Sequence, residues 1–249
     1  ARGQSRGTGS GQLCQYRKAD GTDQTWAGVD DWRPAGEYRD KAEELEPRAQ
    51  ASLYFYGVNP KNNTGNSRWD LYQNWQLEYK WQDGCAKNIK FWYEAGSREW
   101  FEFPIYRMAE FYLNIAEAYN EEGNPTMALR YLNDIRKRGG IPDETQTDRV
   151  GLRRSIHREW AVEFYEENQW YPHARHWKQG ASMVGGAKYK FEFSQAAGVS
   201  WNPRKPEEFA NYTRKPSYVP EYTWHERMSL SPFTLSEVNK GYLVQNPGY

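Results

Sequence analysis

The densest set of side chains suited to ligand chemistry lies between residues 69 and 82. Aromatic residues recur there every two to four positions, as Trp69, Tyr72, Trp75, Tyr79 and Trp81. The polar residues among and beside them are Asp70, Asn74, Gln76 and Gln82. A sugar has an apolar ring face that stacks on Trp or Tyr, and its hydroxyl groups hydrogen-bond to amides and carboxylates. We therefore predict that Trp69, Trp75 and Trp81 bind an oligosaccharide, although the same combination can hold an extended peptide.

A second cluster of rings and charges lies closer to the start of the sequence. Trp26 and Trp32 are flanked by Asp30, Asp31 and Arg33, so both tryptophans are predicted to bind the same ligand. The alternative interpretation is that aromatic rings fill a core with few aliphatic side chains. We expect that interpretation to hold for most of the rings.

Carboxylates at helical spacing raise the question of hydrolysis. Glu159, Glu163 and Glu167 are four residues apart, and glycosidases use paired carboxylates about 5–10 Å apart across a cleft. Three carboxylates on one helix face, with arginines upstream at positions 153, 154 and 158, indicate a charged face instead. The sequence therefore predicts no catalytic residue.

Other candidate sites also favour structural roles. Arg107 and Glu110 have the spacing of an ion pair that holds helices together. His173 and His176 can bind zinc only if a third ligand converges on them, and no cysteine lies near. No glycine-rich phosphate loop is present. We predict neither a metal nor a cofactor.

Composition limits the possible functions. The 249 residues include 33 Lys and Arg and 33 Asp and Glu, giving zero net charge, which argues against nucleic acid as a partner. Aromatic residues make up 16% of the chain, whereas disordered chains contain few aromatics. No run of about 18 apolar residues is present, so no membrane span is predicted. Two cysteines, Cys14 and Cys85, are too few for a disulfide scaffold.

The elements that must position these residues can be predicted from hydrophobic periodicity. Apolar stripes predict helices over 105–122 and 125–138, joined by the turn Gly123-Asn124-Pro125 into an antiparallel pair. A third helix is predicted over 148–167, with Asp148 as its N-cap and a break or kink at Pro172. Residues 13–104 predict loops and short strands. Tyr189–Phe193 predicts a half-buried strand, and 232–249 an extended tail. We expect two segments, 1–104 and 105–249, that together form one domain.

Several motifs in the helical part resemble the SusD/RagB family. The residues that carry the resemblance are Pro104-Ile105-Tyr106-Arg107-Met108-Ala109-Glu110, Leu132-Asn133-Asp134-Ile135-Arg136, His157-Arg158-Glu159 and Arg175-His176-Trp177. Glu46-Pro47-Arg48 stands where the family usually has Asp-Pro-Arg, and Gln245-Asn246-Pro247-Gly248-Tyr249 is similar to the family's terminus. Together they span about residues 46 to 249 and correspond to the C-terminal half of the family chain.

The resemblance implies a mostly α fold of tetratricopeptide-like helix pairs with long loops and small β elements. It also implies a surface-exposed outer-membrane lipoprotein, whose lipid anchor would lie outside this sequence. Such a protein would bind oligosaccharide or peptide nutrient and deliver it to a SusC-like TonB-dependent barrel transporter, without catalysis. Two other functions stay open from the residues: a carbohydrate-active hydrolase, and a tetratricopeptide-like scaffold that binds protein partners.

Overall fold

The structure, a computed structural model, describes residues 15–55, 86–91, 103–184, 189–199, 209–216 and 223–249. In chain order the described elements are β1 (Arg33–Pro34), α1 (Ala35–Glu43), α2 (Pro47–Ser52), β2 (Leu53–Phe55), β3 (Ala86–Asn88), α3 (Met108–Glu121), α4 (Pro125–Arg138), α5 (Arg149–Glu163), α6 (Trp170–His176), α7 (Gly180–Met183), β4 (Tyr189–Gln195), β5 (Phe209–Pro216), a 3-10 turn (Glu226–Ser229) and α8 (Leu235–Val238). The fold is mostly α with small β elements, which confirms the predicted class.

Helices α3 and α4 form the predicted pair. Gly123 turns the chain at a φ of 81°, a conformation that glycine adopts without steric cost. The side chain of Asn124 then accepts a hydrogen bond from the backbone N–H of Met127, and Pro125 is the first residue of α4. α4 spans the predicted residues. α3 begins three residues later than predicted, because Arg107 is still extended (φ −145°, ψ 156°).

Helix α5 is shorter than predicted at its C-terminal end. Its N-cap is Asp148, whose side chain accepts from the N–H of Gly151 at 2.8 Å, as predicted. The helix ends at Glu163, and Glu166 and Asn168 adopt positive φ values of 59° and 62°, which no right-handed helix accommodates. Pro172 then lies in the first turn of α6, where the missing N–H costs no helical hydrogen bond.

A three-stranded antiparallel sheet has the order β1-β5-β4. In β4, Phe191 and Phe193 are buried and Glu192 between them is partly exposed. This confirms a strand over the predicted residues, which extends to Gln195, although Lys190 is also buried and the alternation holds only from Phe191 to Phe193. β2 and β3 pair in a separate two-stranded ladder.

The described residues form two hydrophobic cores. The first lies among α3, α4 and α5 and is mostly aliphatic, with Leu113, Leu132, Leu152, Ile156 and Trp160 at its centre. The second joins the sheet to α1 and consists largely of rings, including Tyr16, Tyr38, Phe191, Phe193 and Tyr212. This ring core combines side chains from before and after residue 104. The predicted division into segments 1–104 and 105–249 stays a prediction.

Three features depart from the sequence-based expectations. Two short helices, α1 and α2, lie in the segment predicted to contain only loops and strands. The tail is not fully extended, since it contains α8 and folds back on itself where Gln245 hydrogen-bonds to the backbone N–H and C=O of Phe233, both at 2.9 Å. No helix among the described residues has the length and apolar character needed to cross a membrane.

Candidate ligand-binding site

Trp32 has the most favourable position of the described candidate residues. It lies directly before β1, and 43% of its surface is exposed. The loop that carries it is fixed to β5, because the backbone N–H of Asp30 donates to the carbonyl of Arg214 at 3.0 Å. β1 then pairs with β5, with Arg33 opposite Tyr212. The indole ring is therefore held by backbone pairing while part of its surface remains open to a ligand.

One charged group, Lys215, lies beside this ring, and the other charged groups of the site pair with Lys215 or with one another. The Lys215 Nζ lies 5.7 Å from the Trp32 ring centroid, and it pairs with Asp30 at 3.5 Å and Glu192 at 3.8 Å. The Arg33 Nε donates to both carboxylate oxygens of Asp31, at 3.0 and 2.9 Å. That hydrogen bond raises the pKa of Arg33. We call this set, Trp32 with Asp30, Asp31, Arg33, Glu192 and Lys215, the Trp32 site.

The Trp32 site combines predicted and unpredicted residues. Asp30, Asp31 and Arg33 are neighbours of Trp32 in sequence and belong to the predicted cluster. Lys215 and Glu192 come from β5 and β4, more than 150 residues away along the chain. No local pattern in the sequence indicates them, because only strand pairing brings Lys215 to the ring and Glu192 to Lys215.

Trp26 makes the contacts of a core residue. Its ring is partly buried and lies 5.6 Å from the ring of Tyr38 and 5.5 Å from that of Phe191, measured between centroids. These contacts anchor the start of the loop that ends at Trp32. A ligand-binding role for Trp26 stays a prediction. Trp69, Trp75 and Trp81, with Cys14 and Cys85, lie outside the described residues, so their predicted roles stay predictions as well.

The three glutamates of the predicted charged face are buried, and the third, Glu167, lies beyond the end of α5 and not on the predicted helix face. Glu159, Glu163 and Glu167 are only 3%, 6% and 7% exposed. Arg48 bonds to Glu159 and, at 3.2 Å, to Glu163, and it also binds the buried Glu46 at 2.7 Å. The reason for the burial is that arginines from other segments reach these carboxylates and compensate their charge.

Arg107 completes this group from the start of α3. Its guanidinium bonds to Glu163 and, at 2.7 Å, to Glu167, and it lies 3.9 Å from the ring of Phe164. Lys90 adds bonds to Glu167 at 2.5 Å and to two backbone carbonyls. Arg107 therefore forms ion pairs, as predicted, but its partners are Glu163 at the end of α5 and Glu167 beyond it, and not Glu110. We call Glu46, Arg48, Lys90, Arg107, Glu159, Glu163 and Glu167 the buried ion cluster.

The buried ion cluster contains carboxylates with opposite pKa shifts. Burial raises the pKa of Glu159 against the effect of Arg48. Burial would also raise that of Glu163, but hydrogen bonds and charge from Arg107 and Arg138 lower it to about 2. Opposed shifts can mark an acid–base pair. Here both carboxylates are buried and share Arg48, so neither faces solvent where a sugar could bind.

A stack of rings lies where the sequence places the two histidines considered for zinc. His157 stacks on Trp177 at 3.6 Å between centroids, Trp177 on His173 at 4.6 Å, and His173 contacts Trp160 at 3.9 Å. His176 approaches Glu117, with its Nε2 at 3.5 Å from Oε1. Among the described residues, no group of three His, Cys, Asp or Glu is placed to hold a metal. The ring stack instead packs α5 against α6.

This stack makes stability depend on pH. Burial lowers the pKa of His157 and His173 from 6.5 to about 4, so the folded state binds fewer protons than the unfolded state between these values. The contribution of the two neutral imidazoles to stability is present above pH 6.5 and is expected to be lost as the pH falls toward 4, with a slope for each below the limit of about 1.4 kcal/mol per pH unit because both rings are partly exposed to water. The measurement is urea denaturation at a series of pH values in that range.

Substitutions test which groups cause the slope. His157→Phe and His173→Phe keep a stacking ring without a titrating group, so each is expected to flatten the pH dependence. The exposed His225 provides the control, since His225→Phe should leave the slope unchanged. Equal slopes in all three variants and the parent chain would contradict this explanation.

Comparisons with known proteins agree with this fold. A model of the SusD family matches residues 12–249. The structure is similar to the crystal structure of a SusD-like protein, BF3747, from Bacteroides fragilis NCTC 9343, with 26% identity, a TM-score of 0.71, and coverage of 98% of this chain and 47% of that chain. Two structures of BT4246 match with TM-scores of 0.65 and 0.64 at 24% and 25% identity, again over 98% of this chain and over 46% and 44% of theirs.

The coverage defines how far these comparisons extend. This chain spans less than half the length of the solved structures that it matches. Comparison with curated proteins gave no match. The SusD family consists of cell-surface nutrient-binding proteins. Because its model matches nearly the entire sequence, including both the helical body and the sheet, the chain belongs to the SusD family.

Proposed function

We propose that this protein captures an oligosaccharide at the cell surface, without catalysis, and delivers it to a SusC-like TonB-dependent transporter in the outer membrane. The observation that carries the proposal is the exposed surface of Trp32 among hydrogen-bonding groups, in a member of a nutrient-binding family. An extended peptide is the alternative ligand, because rings with Arg and Asp side chains also hold peptide.

The Trp32 site fits a hydroxyl-rich ligand better than a strongly charged one. The indole face offers the apolar surface on which a sugar ring stacks. The carboxylates of Asp30 and Asp31 accept hydrogen bonds from hydroxyl groups, and Lys215 donates them. Because charges of both signs already pair with one another around the ring, neither a polyanion nor a polycation is attracted overall. We propose a predominantly neutral glycan.

Absence of catalysis is the second part of the proposal. A hydrolase would need two accessible carboxylates facing the bound sugar, one of them protonated. The carboxylates that have opposed pKa shifts belong to the buried ion cluster. The carboxylates of Asp31 and Asp30 at the Trp32 site are paired with Arg33 and Lys215. We therefore expect every bound glycan to be recovered intact.

Replacement of Trp32 tests the proposed site. Neutral and acidic oligosaccharides, such as maltoheptaose, cellohexaose and pectin fragments, are screened together with unstructured peptides, and calorimetry gives the Kd of any ligand found. Trp32→Ala is expected to raise that Kd about 10–30-fold, because truncation of a central contact ring costs about 1.4–2 kcal/mol.

Trp170→Ala is the matched control. Trp170 is 38% exposed, close to the value for Trp32, but it lies on α6. Its replacement should leave the Kd unchanged. The assignment of the site would be contradicted if both substitutions weakened ligand binding equally, or if neither weakened it. Chromatography of the recovered ligand tests catalysis separately, since any cleaved product would contradict the binding-only proposal.

A further inference from the structure

Two lysines face each other on the sheet beside Trp32. Lys190 on β4 and Lys215 on β5 are opposite residues in the antiparallel register. Side chains at opposite positions share one face of a sheet, where like charges destabilise the pairing of the strands. Lys190 is only 9% exposed, so water does little to offset its charge. The lysine pair therefore needs a carboxylate close to both ammonium groups.

Glu192 supplies that carboxylate. It lies two residues after Lys190 on β4 and so on the same face of the sheet. Its Oε2 is 3.9 Å from the Lys190 Nζ, and its Oε1 is 3.8 Å from the Lys215 Nζ. Asp30 places a second carboxylate 3.5 Å from Lys215, but its side chain is 67% exposed, compared with 33% for Glu192. Because water screens the more exposed charge more strongly, Glu192 has the larger effect on the potential at Lys215.

The position of Lys215 connects this charge balance to the ligand. Its Nζ lies 5.7 Å from the centroid of the Trp32 ring, so a sugar stacked on the indole would lie beside the ammonium group. An ammonium group whose charge is not balanced attracts an anionic ligand, whereas one that already pairs with carboxylates does not. The charge of Glu192 thus decides whether the surroundings of the ring are neutral or cationic.

We propose that Glu192 is the specificity-determining residue of the Trp32 site, where its carboxylate excludes acidic glycans by neutralising Lys190 and Lys215. This inference rests on the proposed function, because it assigns a glycan class to the same site. Without the Glu192 carboxylate, the same ring and the same lysines would favour sugars that carry carboxylate groups. One side-chain charge therefore separates a site for neutral glycans from a site for acidic ones.

Fluorine nuclear magnetic resonance measures the potential at Trp32 in the absence of any glycan. The chain is labelled with fluorotryptophan, and the Trp32 signal is identified by its absence in Trp32→Phe. Two gadolinium chelates of similar size, one anionic (Gd-DOTA) and one neutral (gadoteridol), are added separately at about 50 mM ionic strength. Glu192→Gln is expected to raise the ratio of anionic to neutral relaxation enhancement about 1.5–2-fold. Glu192→Thr removes the same charge with a residue that suits a strand, and an unchanged ratio in both variants would overturn the proposal.

Two controls separate Glu192 from acidic residues in general. Asp30→Asn removes a charge from the same site, and asparagine tolerates the positive φ of 59° at this position. Because Asp30 is exposed, its rise in the ratio should be less than half of that for Glu192→Gln. Glu237→Gln removes a carboxylate that is 39% exposed and pairs with Lys240 in the tail at 2.7 Å, and it should leave the ratio unchanged. An equal rise in either control would contradict the special role of Glu192.

Binding of a matched pair of sugars tests the specificity itself. Hexagalacturonate carries free carboxylates, and its methyl ester is the neutral form of the same oligosaccharide. Followed by the shift of the Trp32 signal, Glu192→Gln is expected to lower the ratio of the acid's Kd to the ester's Kd about 3–10-fold. This difference should disappear at about 0.5 M salt, where charges are strongly screened. A ratio of Kd values that does not change at low salt would overturn the proposal.

The two measurements also separate this inference from the proposed function. If no sugar of the screen shifts the Trp32 signal in any variant, the proposed function is wrong. The relaxation ratio still decides in that case whether Glu192 keeps anions away from the ring.

Discussion

Arg48→Met is expected to lower the free energy of unfolding by up to about 3–5 kcal/mol, because it removes one of the cations that compensate a group of buried carboxylates. Arg48 contacts three buried carboxylates, those of Glu46, Glu159 and Glu163. Methionine fills similar space but compensates no charge, so among the described residues only Arg107 and Arg138 remain for Glu163 and only Arg136, at 3.5 Å, for Glu159. Guanidinium denaturation at pH 7 gives the difference between the two chains.

The matched control is Arg153→Met on the surface of α5. Arg153 also pairs with a carboxylate, that of Glu121, but both side chains are 36% exposed. Water solvates the charge that the substitution leaves behind, so the expected loss is about 0–1 kcal/mol. Similar losses at positions 48 and 153 would show that burial does not determine the strength of these pairs. The loss of stability in Arg48→Lys is expected to lie between those of Arg48→Met and Arg153→Met, because lysine keeps the charge but not the forked geometry of the guanidinium.

Tyr38→Ala is expected to lower the free energy of unfolding by about 3–5 kcal/mol, the range found when large buried rings are truncated. Tyr38 on α1 is fully buried and contacts the rings of Trp26, Phe191, Phe193 and Tyr212, at centroid distances of 5.6, 5.8, 5.1 and 5.5 Å. Its removal leaves a cavity where the helix meets the sheet. Loss of near-ultraviolet circular dichroism during denaturation reports on this ring core.

The control for the ring core is Tyr106→Ala. Tyr106 is 75% exposed, so its truncation should change the free energy of unfolding by less than about 0.5 kcal/mol. If Tyr38→Ala lowered the free energy of unfolding as little as Tyr106→Ala, the ring packing would not be what stabilises the sheet. Tyr38→Phe separates the ring from its hydroxyl group and is expected to retain most of the stability.

The helix pair could be predicted from sequence because its signals are local. Gly123, Asn124 and Pro125 specify the turn by their own backbone preferences, and Asp148 specifies the start of α5 by its side chain. Helix α1 was not predicted from the sequence, because its buried face consists of Ala35, Tyr38 and Ala42. The two alanines are too small to give a clear hydrophobic period.

The candidate site was predictable only in part, for the same physical reason. Trp32 and its acidic neighbours adjoin in sequence, so local composition indicates them. Lys215 reaches the ring through the pairing of β1 with β5, which no local pattern specifies. Likewise, the spacing of Glu159, Glu163 and Glu167 indicates a charged helix face, whereas their burial depends on arginines from distant parts of the chain.

The buried ion cluster also bears on the time course of folding. Its pairs include residues separated by 56 and by 115 positions along the chain, whereas the α3–α4 pair closes over a turn of a few residues. Contacts between distant segments incur a large loss of chain entropy before they form, so they complete late. Interactions that are absent from the folding transition state slow unfolding without speeding folding. We therefore expect substitutions in the cluster to speed unfolding more than they slow folding, and substitutions in the α3–α4 turn to slow folding.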